Sequence, residues 1–420
     1  MELLQTVNAV LSLLFFLCCA YQIVYAAASL FGRRIKPPPA KLRRYGVLIA
    51  ARNEEAVIGD LIDSIRRARY PAGLIDIFVC ADNCTDATAA VARFHGAQVF
   101  PRQNKREVGK GYALDHLLRC IKERGCFDRY DGFFVFDADN TVDPDYFAEM
   151  NGIFSPENRV VMSYRSGKNF DDNWISAAYS LWFIRDARLM NDGRMRLHTS
   201  SVVSGTGFLV SREILEDLDG WPFHMLTEDT EFTAEMMLRG EFIAYCRDAV
   251  FYDEQPTSFR QSWQQRLRWT KGFMQVLLLK GGDLLRCMVH KKRFACFDLL
   301  MAMAPAILFP LIGLLVGTAA AAAALLNGED LLPILLAAGK SFLMMYGVLL
   351  LTGLVTLAAE WKRIRGHAFR KIAFLFTFPL FMMTYLPVTL AACFCRVEWT
   401  PIRHGAAARQ GRRKMFHVEQ

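Results

Sequence analysis

Two aspartates, Asp137 and Asp139, end the apolar run 133–136 in the segment FFVFDADNTVDP. The run predicts a buried strand, and in an extended strand the two carboxylates would share one face, which is costly unless a cation joins them. A small set of hard oxygen ligands suits Mg²⁺ or Mn²⁺, which takes its other ligands from water and substrate phosphates. Alternatively, Asp139 only forms a turn before a helix. The spacing alone leaves both roles open.

Further polar residues follow the neighbouring predicted strands. Asn53 and Glu54 come after YGVLIAA, and Asp82 comes after IDIFVCA, where a nucleoside would dock. Lys110 stands between two glycines, so its amine can reach a phosphate without obstruction from adjacent side chains. Each has a plainer alternative, with Asp82 as a helix cap and Lys110 as an exposed charge.

Two later segments carry residues suited to sugar transfer. Glu228 and Asp229 stand at a predicted helix start, where Asp229 is either the N-cap or a general base for an acceptor hydroxyl. In QQRLRW, the spacing of Gln265, Arg268 and Trp269 places them on one helix face. That face offers an amide, a fork for pyrophosphate and an aromatic platform for a sugar ring. An interfacial helix can carry the same residues without a ligand.

The elements that must position these residues alternate between strand and helix from residue 45 to residue 139. Strands rich in Val, Ile and Phe, separated by helices of about ten residues or more, predict a doubly wound, Rossmann-like α/β domain. In such sheets, ligands bind beyond the carboxyl ends of the strands. The candidate residues stand at those ends.

Membrane-spanning segments account for much of the 53% hydrophobic content of the 420 residues. Four almost uncharged segments are long enough to span a bilayer: 7–31, 294–326, 341–359 and 372–395. The last contains Pro379 and Pro387, which permit a broken or re-entrant helix. Basic residues after the first segment, among them Arg33 and Arg34, place the following domain in the cytosol. We therefore expect a multi-pass protein of the cell membrane with a cytosolic catalytic domain.

The predicted organisation has five parts. Lys36 and three prolines form a stiff linker after the first span, and a basic, aromatic-rich stretch near residue 270 is typical of a helix at the membrane interface. The predicted ranges are a transmembrane anchor at 1–36, the α/β domain at 37–255, amphipathic interfacial helices at 256–293, a transmembrane region at 294–395 and a basic tail at 396–420.

The ordered set of motifs resembles the processive family 2 glycosyltransferases, which include cellulose, chitin, hyaluronan and poly-N-acetylglucosamine synthases. The resemblance covers residues 45 to 280 by motif and implies a cytosolic GT-A fold between transmembrane helices. It also implies these roles: Asp82 holds the uracil with Asn53 and Glu54 nearby, Lys110 and Asp137 contact the nucleotide, Asp139 with Asp137 binds a divalent cation, Asp229 beside Glu228 is the catalytic base, and Gln265, Arg268 and Trp269 bind pyrophosphate and the acceptor sugar.

The implied function is that of an inverting hexosyltransferase, which transfers GlcNAc or Glc from a UDP-sugar to a growing β-linked polysaccharide. A single base suits one in-line displacement. Two alternatives remain: a glycolipid synthase that adds one sugar to a membrane lipid, and a non-catalytic membrane subunit or transporter. About three C-terminal spans are few for a wide polymer channel, which favours a lipid acceptor or an export partner. Membrane lipids are expected partners, and nucleic acid is not.

Overall fold

The computed structural model describes residues 2–34 and 40–398, so the predicted linker of Lys36 and the three prolines and most of the predicted tail lie outside the described residues. The helices and strands of the described part are, in chain order, α1 Glu2–Phe31, β1 Tyr45–Ala51, α2 Ile58–Arg66, β2 Ile75–Asp82, α3 Thr88–Phe94, β3 Gln98–Arg102, α4 Lys110–Glu123, β4 Gly132–Asp137, β5 Thr141–Val142, α5 Tyr146–Ile153, β6 Val160–Gly167, α6 Trp174–Arg185, α7 Asp192–Arg196, β7 Phe208–Ser211, α8 Arg212–Asp217, α9 Glu228–Arg239, β8 Ile243–Asp253, α10 Phe259–His290, α11 Phe294–Leu326, α12 Leu332–Ala359, α13 Ala368–Met383 and α14 Tyr385–Phe394.

The chain divides into two compact units. The sheet unit contains Arg34–Lys168 and Ser200–Glu254, and the helical unit contains Met1–Arg33, Asn169–Thr199 and Gln255–Val397. The range predicted for the α/β domain, 37–255, was continuous, whereas residues 169–199 belong to the helical unit. The reason lies in α6, where nine of the twelve residues are buried. A helix that is apolar all round must be buried on every side.

All eight strands form one mixed sheet in the order β3-β2-β1-β4-β7-β6-β8-β5. Strands β1 to β4 are parallel, β7 runs antiparallel to both β4 and β6, and β8 is parallel to β6. The chain leaves β1 toward β2 and β3 and returns to β4 on the other side of β1. This reversal is a topological switch point, where open α/β sheets bind ligands. The α/β prediction is confirmed.

The centre of the sheet is apolar on both faces. The β4 residues Phe133, Phe134 and Phe136 are fully buried, as expected for a strand covered on both sides. Phe134 packs edge-on against Phe147 of α5, with ring centroids 4.8 Å apart. A Cβ atom at Gly46 of β1 would lie 2.6 Å from the Phe133 ring, so only glycine fits there. This packing holds the β1 and β4 ends in register.

Four helices of the helical unit are long and apolar enough to cross a membrane: Thr6–Phe31, Phe294–Leu326, Leu332–Ala359 and Ala368–Phe394. The last is interrupted at Thr384, where α13 ends and α14 begins. The interruption lies between Pro379 and Pro387, as the sequence predicts for a broken helix.

A buried ionic cluster joins three segments of the helical unit. Asp298 of α11 is fully buried. Its two carboxylate oxygens accept hydrogen bonds from Arg194 Nε and Nη2, at 2.7 and 3.0 Å. The hydroxyls of Tyr21 and Tyr25 in α1 donate to the same carboxylate at 2.8 and 2.9 Å. The N-terminal helix is thus tied to two other segments of its unit. Asp298 is not among the residues predicted from the sequence, because the segment 294–326 is otherwise uncharged.

Candidate active site

The two aspartates of the DxD segment differ in environment. Strand β4 ends at Asp137, and the Asn140 amide donates to the Asp137 carbonyl at 3.1 Å, which closes a turn. The side chain of Asp137 is 41% exposed, whereas Asp139 is buried. The prediction that both carboxylates share one face of an extended strand is therefore wrong, because β4 ends at Asp137, two residues before Asp139.

Asp139 is held from several directions. Its Oδ2 accepts a hydrogen bond from the Glu254 amide at 3.1 Å, and its Oδ1 accepts one from Asn140 Nδ2 at 3.2 Å. The ammonium of Lys168 donates to the Asp139 carbonyl. The carboxylate orientation is therefore set by the segment that follows β8 as well as by its own turn.

Lys110 is a buried ion-pair partner. It begins α4, and its Nζ donates to Asp137 Oδ1 at 2.5 Å and to the Gly205 carbonyl at 2.7 Å. Its side chain is 12% exposed, so the alternative of an exposed charge is wrong. The lysine links the end of β4 to the loop before β7.

Asp229 lies beside the same loop. A Cβ atom at Gly205 would lie 3.5 Å from Asp229 Oδ2. Helix α9 begins at Glu228, its N-cap position is Thr227, and Asp229 stands in the first turn with Oδ1 accepting from the Thr230 amide at 2.8 Å. The alternative of Asp229 as the N-cap is therefore wrong. A carboxylate in the first turn is favoured by the helix dipole.

Asp82 ends β2 and forms a buried ion pair. Its Oδ1 accepts from Arg102 Nη1 at 2.8 Å and from Asn83 Nδ2 at 3.1 Å. The helix-cap alternative is wrong, because Asp86, not Asp82, accepts the Thr88 amide at the start of α3. One strand, β1, separates Asp82 from Asp137, which puts their backbones about 10 Å apart at the usual strand spacing.

Asn53 and Glu54 shape the loop after β1. Asn53 adopts the left-handed conformation, with φ 57°, and its Oδ1 accepts from the Thr85 amide at 2.8 Å. The Glu54 amide donates to Thr88 Oγ1 at 2.8 Å. These contacts hold the loops after β1 and β2 together beside Asp82.

Gln265, Arg268 and Trp269 lie on α10 in the helical unit. The Trp269 ring packs edge-on against Tyr179 and Phe183, with centroids 5.8 and 6.0 Å apart. Gln265 Oε1 is buried and has no hydrogen-bond partner among the described residues. The three side chains share one helix face, as predicted.

Four charged residues of the site were not singled out from the sequence: Arg102, Arg165, Lys168 and Asp253. All stand at or near the carboxyl ends of strands β3, β6 and β8. The strand-end rule that points to Asp82 and Asp137 also points to Arg102 at the end of QVFPR, and to Arg165, Lys168 and Asp253 in the segments MSYRSGKN and VFYDEQP.

Three carboxylates, those of Asp137, Asp139 and Asp253, lie at or just beyond the carboxyl ends of strands β4 and β8. Burial raises the pKa of Asp253, the ion pair with Arg165 opposes this, and the negative charges of Asp139 and Asp137 add to the increase. The negative charges of Asp137 and Asp139 thus act on the Asp253 carboxylate at the end of β8. Among the described residues, no group of three or more His, Cys, Asp or Glu side chains is arranged to hold a metal by itself.

An α/β sheet with carboxylates at its switch point and a further aspartate beside a glycine-containing loop has the layout expected of a GT-A glycosyltransferase fold. The family model described as "Glycosyltransferase like family 2" matches residues 42–272. The chain belongs to this family, which confirms the resemblance seen in its motifs.

The relatives of the chain include one named as a glycolipid synthase and one named as a polysaccharide synthase. The chain is 27% identical over 271 residues to a beta-monoglucosyldiacylglycerol synthase of Nostoc sp., covering 62% of this chain and 54% of the relative. It is 25% identical over 236 residues to a poly-beta-1,6-N-acetyl-D-glucosamine synthase of Staphylococcus aureus, covering 55% of each. The chain thus spans about half the length of the curated relatives it matches.

One solved structure extends the likeness beyond the sheet unit. The mannosyltransferase PcManGT of Pyrobaculum calidifontis, solved with GDP-Man and Mn²⁺, superposes with a TM-score of 0.60 at 20% identity. The match covers 86% of this chain and 98% of that protein. The two proteins share a fold over most of their length.

Proposed function

We propose that the protein is a membrane-integrated, inverting hexosyltransferase that uses a UDP-sugar donor, with its sheet unit in the cytosol. The observation that carries the proposal is the linkage of Asp137, Lys110, Gly205 and Asp229 in one site. In this site the Lys110 ammonium binds both the Asp137 carboxylate and the Gly205 carbonyl, and Gly205 lies beside Asp229. A donor-side carboxylate and a base are thereby held in one rigid arrangement.

A divalent cation, Mg²⁺ or Mn²⁺, fits the residues at this edge. Asp139 is buried and oriented, and Asp137 and Asp253 raise the local negative charge, which a cation would offset. Because the described residues contain no complete set of protein ligands, the donor's phosphates would supply the others, as Mg²⁺ sites at nucleotides commonly do. Asp139, with Asp137, would hold the ion. When bound, the ion would neutralise charge on the leaving diphosphate.

The chemistry of this chain's own residues is that of a single displacement. Asp229 would accept the proton of the acceptor hydroxyl while that oxygen forms a bond to the anomeric carbon. The bond from that carbon to the UDP oxygen breaks, and attack from the opposite face converts an α-linked donor into a β-linked product. Arg268 of α10 would bind pyrophosphate, and Gln265 and Trp269 would contact pyrophosphate and the acceptor sugar.

Two acceptors are candidates. The first candidate is a growing β-linked polysaccharide, as predicted from the motifs. The second is a membrane lipid that receives one sugar. It is favoured by the similarity to the Nostoc lipid glucosyltransferase and by the small number of candidate spans, four among the described residues.

The base assignment is tested with the Asp229→Asn variant. Purified protein is given a panel of UDP-sugars with and without Mg²⁺ or Mn²⁺, and UDP release is measured. The substitution should lower turnover by about 10³-fold or more, the loss expected when a general base and its charge are both removed. UDP affinity should stay within about twofold, because the amide keeps the shape of the carboxylate. Turnover that survives the substitution rejects Asp229 as the base.

A further inference from the structure

The loop of residues 203–207 is anchored at every position. The Val203 amide donates to Thr233 Oγ1 of α9 at 3.2 Å, and the Gly207 amide donates to the Val135 carbonyl at 2.8 Å. Between them, Thr206 Oγ1 accepts the Asp137 amide at 2.9 Å. The two remaining positions, Ser204 and Gly205, are held through their carbonyls. The loop therefore connects β4, α9 and the cations described next.

Two cations hold these consecutive carbonyls in the same way. Lys110 bonds to Asp137 at the end of β4 and to the Gly205 carbonyl. Arg165 of β6 pairs with Asp253 at the end of β8, with Nε 2.7 Å from Oδ2, and its Nη1 donates to the Ser204 carbonyl at 3.1 Å. Each cation thus joins one strand-end carboxylate to one carbonyl of the 203–207 loop.

The Arg165–Asp253 pair also reaches the opposite side of the site. Asp253 directly precedes Glu254, whose amide donates to Asp139 Oδ2 at 3.1 Å. Arg165 binds the Ser204 carbonyl, and the next residue, Gly205, lies beside Asp229. The pair is buried, with side-chain exposures of 13% and 4%, so water competes little for these bonds.

We infer that Arg165 and Asp253 are positioning residues for glycosyl transfer, which set the place of Asp229 relative to Asp139 through the 203–207 loop. This inference rests on the proposed function. The guanidinium is needed because it donates in several fixed directions, to the carboxylate through one edge and to the carbonyl through Nη1. At position 165 the two partners are bound by different nitrogens of the guanidinium, Nε for Asp253 and Nη1 for the Ser204 carbonyl. A lysine there would have to reach both with a single nitrogen, and we expect it to lose one of the two bonds.

The experiment compares Arg165→Lys, Asp253→Asn and their double variant with the wild-type full-length protein in detergent. Measurements are kcat and KM for the UDP-sugar, the dissociation constant of UDP with Mn²⁺ by titration calorimetry, and the melting temperature. Arg159→Lys is the matched control. Arg159 directly precedes the same strand and forms an ion pair with Glu241, with Nε 3.2 Å from Oε2.

A displacement of the base by about 1 Å should lower kcat by about 30- to 100-fold in Arg165→Lys. The donor KM and the UDP dissociation constant should remain within about twofold of wild type. Asp253→Asn should lower kcat in the same direction, and the double variant should lose less than the product of the two single losses, because the residues act as one unit. Arg159→Lys should retain wild-type kcat.

Three results would overturn the inference. If Arg165→Lys keeps wild-type kcat in an active preparation, the pair does not position the base. If kcat, UDP affinity and melting temperature fall together in Arg165→Lys, the Arg165–Asp253 pair has only a structural role. If the wild type releases no nucleoside diphosphate from any sugar donor, the proposed function fails, and the inference fails with it.

Discussion

The guanidinium of Arg102 orients Asp82, a residue for which the sequence predicts a contact with the nucleotide base. Its Nη1 donates to Asp82 Oδ1 and to the Glu107 carbonyl, both at 2.8 Å. The ion pair, together with the hydrogen bond from Asn83 Nδ2, fixes the orientation of the Asp82 carboxylate. Asp82 thereby presents an oriented acceptor, which suits the imide N–H of a uracil ring.

Replacing Arg102 should therefore weaken donor binding rather than chemistry. In Arg102→Gln, we expect the KM for the UDP-sugar to rise by about tenfold or more, since breaking a buried charge pair costs well over the roughly 1.4 kcal/mol that a tenfold change represents. Because Asp229 is untouched, kcat should stay within about threefold. Steady-state kinetics of UDP release measures both.

Arg124→Gln is the control for this prediction, because Arg124 contacts Gln98 at the other end of β3, at 3.3 Å, and is exposed. It should leave KM unchanged. A fall in kcat without a change in KM for Arg102→Gln would contradict the assignment of Asp82 to donor binding.

Among the elements, helix α1 does more than anchor the chain. Its Tyr21 and Tyr25 hydroxyls bond to the carboxylate that also binds Arg194. An ionisable residue within an apolar span is expensive unless its partners are fixed. The cluster therefore favours a single arrangement of α1 with α7 and α11 in the helical unit.

Asp298→Ala should lower stability strongly, because it leaves the buried Arg194 guanidinium without its carboxylate, at a cost of about 3–5 kcal/mol. The melting temperature of the detergent-solubilised protein is the measurement. Asp283→Ala, which removes an exposed partner of Arg286 on α10, should cost about 1 kcal/mol or less. Equal melting temperatures for the two variants would show that the cluster does not stabilise the helical unit.

The sequence predicts some elements well, for clear physical reasons. Strand β1 has the predicted bounds, 45–51, because an unbroken apolar run stands between basic residues and a polar loop. Helix α2 starts only at Ile58, although the acidic residues 54 and 55 suit a helix start, because the residues before it turn to meet the next loop: the Glu55 amide donates to Asp86 Oδ2 at 3.2 Å. Such tertiary contacts override local propensity.

Partners distant in sequence could not be assigned. Arg165 and Asp253 are 88 residues apart, and Arg194 and Asp298 are 104 apart. The first pair depends on a sheet order in which β6 and β8 are neighbours, and the second depends on the packing of α7 against α11. No local pattern encodes that order.

At the scale of the whole molecule, the size of the product distinguishes a polysaccharide acceptor from a lipid acceptor. Membranes containing the protein are incubated with labelled UDP-hexose, and the products are separated by organic extraction and gel electrophoresis. We expect a ladder of water-soluble chains for the polysaccharide acceptor. One labelled product in the organic phase would instead select the glycolipid alternative, and Asp229→Asn membranes supply the blank.

The sheet unit is discontinuous, since residues 169–199 separate β6 from β7. During synthesis, the ribosome releases strands β1 to β6 first, then the helical stretch 169–199, and only afterwards β7 and β8, which complete the sheet. Trimming both ends of the gene would thus not yield a water-soluble catalytic fragment, because the middle of the fragment would expose a surface meant for other helices. Biochemical work on the catalytic half requires either the intact polypeptide in a lipid mimetic or a short designed bridge from Lys168 to Ser200.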